Sequence, residues 1–97
     1  MADAATLAVP QTTPLPERLT ISDASATLAR LTPQLLAASE PVLDASALRD
    51  LDTSALAVLL ACQRLAAGQG RQLRLTGAPS KLRQLAQLYG VDSLLGV

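Results

Sequence analysis

The sequence predicts an α/β domain with the element order β-β-α-β-α-β-α. Three observations point there. Short stretches of strand length at 18–22, 41–45 and 72–76 alternate with longer stretches whose leucines and alanines recur at helical spacing. The run from Val42 to Thr76 has the length of a strand–helix–strand crossover, whose strands are then parallel. The chain has 97 residues, enough for one domain, and 49% of them are hydrophobic. No repeat or low-complexity linker divides it, so residues 1–97 form a single domain with an N-terminal edge strand and loop over 1–16.

Within that loop region Ala5 to Val9 can make an edge strand, and Gln11 to Pro16 reads as a turn or loop because of its prolines. Arg18 to Ser22 alternates as a strand does. Asp23 to Ala38 carries Leu28, Leu31, Leu35 and Ala38 at helical spacing, with Ser22 or Asp23 as the cap. Pro33 lies inside it and lacks a backbone donor, so a kink or break is expected there, with Thr32 capping a second piece. Pro41 to Ala45 is a short buried strand and Ser46 to Leu51 a connector. Thr53 to Ala67 is an Ala- and Leu-rich helix that Gly68 and Gly70 end. Gln72 to Thr76 alternates as a strand. Pro79 suits the first turn of a helix running to Gly90. The apolar tail Val91 to Val97 folds back on the core.

Composition removes several classes of function. There is no histidine, so no Ser-His-Asp or Cys-His arrangement and no His metal site. Cys62 is the only cysteine, which leaves no intramolecular disulfide and suits a reducing cytoplasm. No P-loop pattern occurs, and Gly68-Gln69-Gly70 lacks the third glycine and the preceding strand of a dinucleotide fingerprint. Asp44, Asp50 and Asp52 lack the spacing of an EF-hand and read as solvated or capping groups. Eight basic and eight acidic residues cancel, with no basic tract for nucleic acid. No signal peptide and no run of membrane-spanning length is present. Catalytic, cofactor and metal sites are therefore not expected. The charged fraction of 16% is low for a free monomer and points to surface that meets a partner.

The informative segment is Asp44 to Leu60. Asp52, Thr53 and Ser54 precede an apolar helix, where a carboxylate or hydroxyl caps free amides; the same amides and dipole suit a phosphate on Thr53 or Ser54. Along the helix Ala55, Val58, Leu59, Cys62 and Ala66 form a core face. Ser54, Ala57, Ala61, Arg64 and Gly68 form a second face nearly free of long charged side chains. It is either plain Ala-rich composition or a flat docking face with Leu60 and Arg64 as anchors.

Val42 to Leu60, V-L-D-A-S-A-L-R-D-L-D-T-S-A-L-A-V-L-L, resembles the signature of STAS domains. That family reads as an apolar strand ending in Asp, a connector, then Asp-Ser/Thr-Ser/Gly-Gly/Ala-Leu opening a helix. The resemblance implies a mixed β-sheet with helices packed mainly on one side. Leu73 to Val91 and the pair Asp52-Thr53 are most similar to the small cytoplasmic subunits of the Mla-type phospholipid-transport ABC complex of Gram-negative bacteria. Two positions depart from the family. The segment I-S-D-A-S-A after the second strand lacks its usual Gly-x-Leu/Phe-Asp pattern, and Ala55 stands where glycine is common.

What this resemblance implies is a non-enzymatic accessory subunit, cytoplasmic and held at the inner membrane through its complex. It would bind the ATPase subunit (MlaF-like) and, through it, the permease and substrate-binding subunits. It would support assembly and ATPase activity in maintaining outer-membrane lipid asymmetry. Thr53 matches the family's functional position. The expected partner-binding residues are Thr53, Ser54, Ala57, Leu60, Ala61 and Arg64, with Asp52 and Thr53 as cap or phosphoacceptor. The alternative within the family is an anti-sigma-factor antagonist regulated by phosphorylation at Thr53.

Overall fold

In a computed structural model of the chain, residues 12–97 are described. The expected edge strand at Ala5–Val9 lies outside them. The elements are β1 (Thr12–Pro14), β2 (Arg18–Leu19), α1 (Ala24–Ala37), β3 (Val42–Asp44), β4 (Asp50–Leu51), α2 (Thr53–Gly68), β5 (Arg74–Thr76), α3 (Ser80–Leu88) and α4 (Asp92–Leu95). Strands β1, β3 and β5 form one sheet in that order, and β2 pairs with β4. Every pairing among the described residues is parallel. The α/β class and the parallel β3–α2–β5 crossover hold, with the helices packed alongside the strands.

Several expectations fail, three of them in the strands. Residues 12–14 are strand, not turn. Leu15 N–H reaches the Asp44 carbonyl at 2.9 Å, so the backbone at Pro14 faces away from β3 and its missing donor breaks no bond in that pairing. The strand at 18–22 stops at Leu19, because Thr20 to Ser22 turn into α1. The connector 46–51 hides the two-residue strand β4, which places Leu51 beside Leu19, both buried. Two residues are too few to show an alternation.

Helix α1 is continuous through Pro33. Thr32 does not cap a second piece; its hydroxyl donates to the Leu28 carbonyl at 2.7 Å, within the helix. Thr27, Leu31 and Leu35, each four residues apart, are buried and hold the helix against the core while Pro33 faces solvent. Asp23 stands at the cap position, yet its carboxylate makes no cap bond; it turns back to Arg18 and Thr20.

Helix α2 packs against α1 on one side and touches α3 and α4 elsewhere. Its core face is Ala55, Val58, Leu59, Cys62 and Ala66, as the spacing predicts, with Leu56 added. It runs through Gly68; Gly70, at φ +70°, follows the last turn, a backbone conformation glycine adopts without strain. Pro79 is the residue before α3, and the C-terminal tail returns as α4 with Leu95 buried.

Candidate interaction surface

The carboxyl ends of the strands lie together through their backbone. Ala45 N–H donates to the Thr76 carbonyl at 2.8 Å, joining the ends of β3 and β5. The Asp44 carboxylate accepts the Ser46 N–H at 2.9 Å and closes a tight turn there. Gly77, at φ +66°, fits against that turn: a Cβ would stand 3.0 Å from Ser46 Cβ and 3.1 Å from Asp44 Oδ1. Asp44 is thus spent on its own turn, and the Ser46 amide holds its carboxyl below the usual value. Among the described residues no group of three or more Asp, Glu, Cys and His side chains could hold a metal, so Asp44, Asp50 and Asp52 do not gather into a site.

Asp52 opens α2 in extended backbone, and its Oδ1 accepts the Ser54 N–H at 2.8 Å. Its Oδ2 accepts a second amide, that of Ile21, at 3.1 Å. Partial desolvation alone would raise this carboxyl. The Ser54 and Ile21 amides, the Ser54 side chain and the Lys81 ammonium outweigh it, and the group lies below its ordinary value. Asp52 therefore stays ionised at neutral pH and caps α2, while Thr53 is free of the cap and exposed.

From Thr53 the outward side of α2 runs through Ala57, Leu60, Ala61 and Arg64. Thr53, Ala57 and Arg64 are exposed; Ser54, Leu60 and Ala61 are half-buried. Leu60 packs partly on the core, so only part of its surface remains for a partner. The helix carries no acidic residue, and Arg64 is its only charged one. The sequence-expected residues therefore share one surface, in the order of the helical repeat.

Sequence reading missed Ile21. It is 76% exposed, sits on the turn between β2 and α1, and is tied to Asp52. The signal was present: Thr20, Ser22 and Asp23 are turn formers around a lone isoleucine. The alternation of RLTIS concealed it.

Two other features stand apart. A cavity of about 240 Å³ lies at the far end of α2, lined by Gln63, Ala67, Arg71, Gln72 and Leu73. The Arg71 guanidinium there already donates to the Leu36 and Ala38 carbonyls, at 3.0 and 2.5 Å, and serves to tie down the end of α1. Cys62 is fully buried, and burial pushes its thiol up to about 11, which removes its reactivity at neutral pH. No helix among the described residues is long and apolar enough to cross a membrane.

A family model described as "Mlab, STAS domain" matches residues 10–96. A solved structure from Thermotoga maritima, described as a candidate anti-sigma factor antagonist, superposes with a TM-score of 0.76 over 90% of this chain and 78% of that one. The two sequences are 18% identical, so the likeness is one of fold. No curated protein matches the chain.

Proposed function

The chain belongs to the STAS domain family, and from that premise we propose that it is a non-catalytic docking module whose partner surface is the outward side of α2. The observation that carries the reading is the run of Thr53, Ala57 and Arg64 left exposed beside half-buried Ser54, Leu60 and Ala61. Small side chains let a partner backbone approach closely, and an arginine at the far end supplies an anchor. STAS domains are regulatory or accessory modules that act on partner chains, and the absence of histidine from the sequence accords with that role.

Two partners suit the surface. An anti-sigma factor, with this chain as its antagonist, is supported by the likeness of the whole fold to the Thermotoga protein and by the accessible Thr53 hydroxyl. The ATPase of an ABC-type phospholipid transport system is supported by the description of the matched family. In that case the chain sits on the cytoplasmic side of the inner membrane through its complex. Calorimetric titration of the full chain against each purified candidate from the same cells decides between them. One of the two binds, and Thr53→Glu weakens that binding at least tenfold while Thr53→Ala has the smaller effect. Binding by neither, or wild-type affinity in Thr53→Glu, contradicts the proposal.

A further inference from the structure

We propose that Asp52 is a latch: it holds the Ile21 turn against the first turn of α2, and a negative charge placed on Thr53 releases that turn. The inference rests on the reading of Thr53 as a regulated docking position and says how its state reaches the neighbouring surface. One carboxylate is divided between its own helix start and a turn 31 residues before it, Oδ1 on the Ser54 amide and Oδ2 on the Ile21 amide. The turn's other hydrogen bonds run within it and to the flanking β2 and α1. Asp23 accepts from the Thr20 amide and hydroxyl and from Arg18, and the Asp23 amide donates back to the Thr20 carbonyl. The Asp52–Ile21 bond joins this turn to the opening of α2.

A charge on Thr53 adjoins Asp52 in the chain and acts on it in two ways. It repels the carboxylate, and it competes for the free amides at the start of the helix. Of the two bonds Asp52 makes, the one to Ser54 is shorter and partly buried, and the one to Ile21 is longer and exposed. The second is the one given up. Ile21, itself 76% exposed, then leaves the position that its bond to Asp52 gives it near the start of α2, and an exposed apolar side chain is lost from that end of the helix along with the change of charge.

Amide hydrogen exchange of the full chain, followed by NMR, tests this without a partner. Exchange at Ile21 should rise about fivefold in Thr53→Glu, the effect of losing one hydrogen bond, and stay near wild type in Thr53→Gln. Leu59, in the buried face of α2, should keep its protection in both. Asp52→Asn is the second arm: asparagine still caps a helix but has a single carbonyl oxygen to share. It should free the Ile21 amide and spare Leu59. Equal Ile21 exchange in Thr53→Glu and Thr53→Gln overturns the latch. If Thr53→Glu loses protection throughout, Asp52→Asn decides: a protected Ile21 there overturns the latch as well. A Thr53→Glu chain that loses its partner while Ile21 stays protected preserves the docking reading and defeats the latch; a chain that frees Ile21 yet binds normally defeats the reading.

Discussion

Asp23 and Asp52 each stand just before a helix, and only Asp52 caps one. The difference lies in what each can reach. Asp23 has Arg18 and the Thr20 amide and hydroxyl close behind it, and these claim its carboxylate. Asp52 follows a strand, is extended, and meets the Ser54 amide ahead of it. Sequence shows the residue type in both places and cannot show this competition. For the same reason it left two readings of Asp52-Thr53-Ser54, a cap, which is the commoner, and a phosphate position on Thr53 or Ser54. The structure gives the two tasks to different residues, the cap to Asp52 and exposure to Thr53. The carboxyls of Asp23, Asp44 and Asp52 all lie below their ordinary value of 3.8. A depressed folded value adds stability above that pH, and the contribution disappears as pH falls through the folded values. The melting temperature should therefore hold steady near neutrality and drop below about pH 4. Asp52→Asn should melt lower than wild type at pH 7 and lose less on acidification; an equal loss in both would contradict the assignment.

At the scale of the element, sequence showed most where periodicity is long. The core face of α2 is the clearest case, since a helix of 16 residues repeats its pattern several times. Strand β4 and the strand at 12–14 were missed because two or three residues carry no period, and at 12–14 prolines outweighed what remained. Pro33 misled in the opposite direction: three buried contacts on one side of α1 hold the helix through it. Replacing that proline with alanine restores a donor to the Ala29 carbonyl and removes the ring's clash. Pro33→Ala should stabilise the domain by about 1–2 kcal/mol, after the greater freedom of the unfolded chain is subtracted. A melt unchanged or lowered would show that α1 bends to suit the ring. Gly77 makes the complementary case in a turn. Gly77→Ala meets both a positive φ and the Ser46 turn at 3.0 Å, and should destabilise by at least about 1 kcal/mol in urea unfolding. Neutral behaviour would mean that the ends of β3 and β5 are looser than their hydrogen bond implies.

At the scale of the molecule, the parallel crossover puts β3, α2 and β5 in order and leaves one side of α2 facing outward. That much was legible, because Val42 to Thr76 has crossover length and an Ala-rich second face. The contribution of Ile21 was not, since it depends on two segments brought together across 31 residues. The central claim is that this side of α2 is a docking surface and not merely solvated helix. Ala61→Arg in a pull-down with the partner that binds wild type, paired with a thermal melt, tests it most directly. Ala61 is half-buried at the edge of the outward side, so a long cation there can point to water in the free domain but obstructs a partner. Leu59→Ala is the control: it opens a cavity in the core, costs about 2–5 kcal/mol, and weakens binding only by unfolding. The account predicts that Ala61→Arg melts within a few degrees of wild type and no longer captures the partner. Full capture by a folded Ala61→Arg chain would contradict it and move the interface off α2.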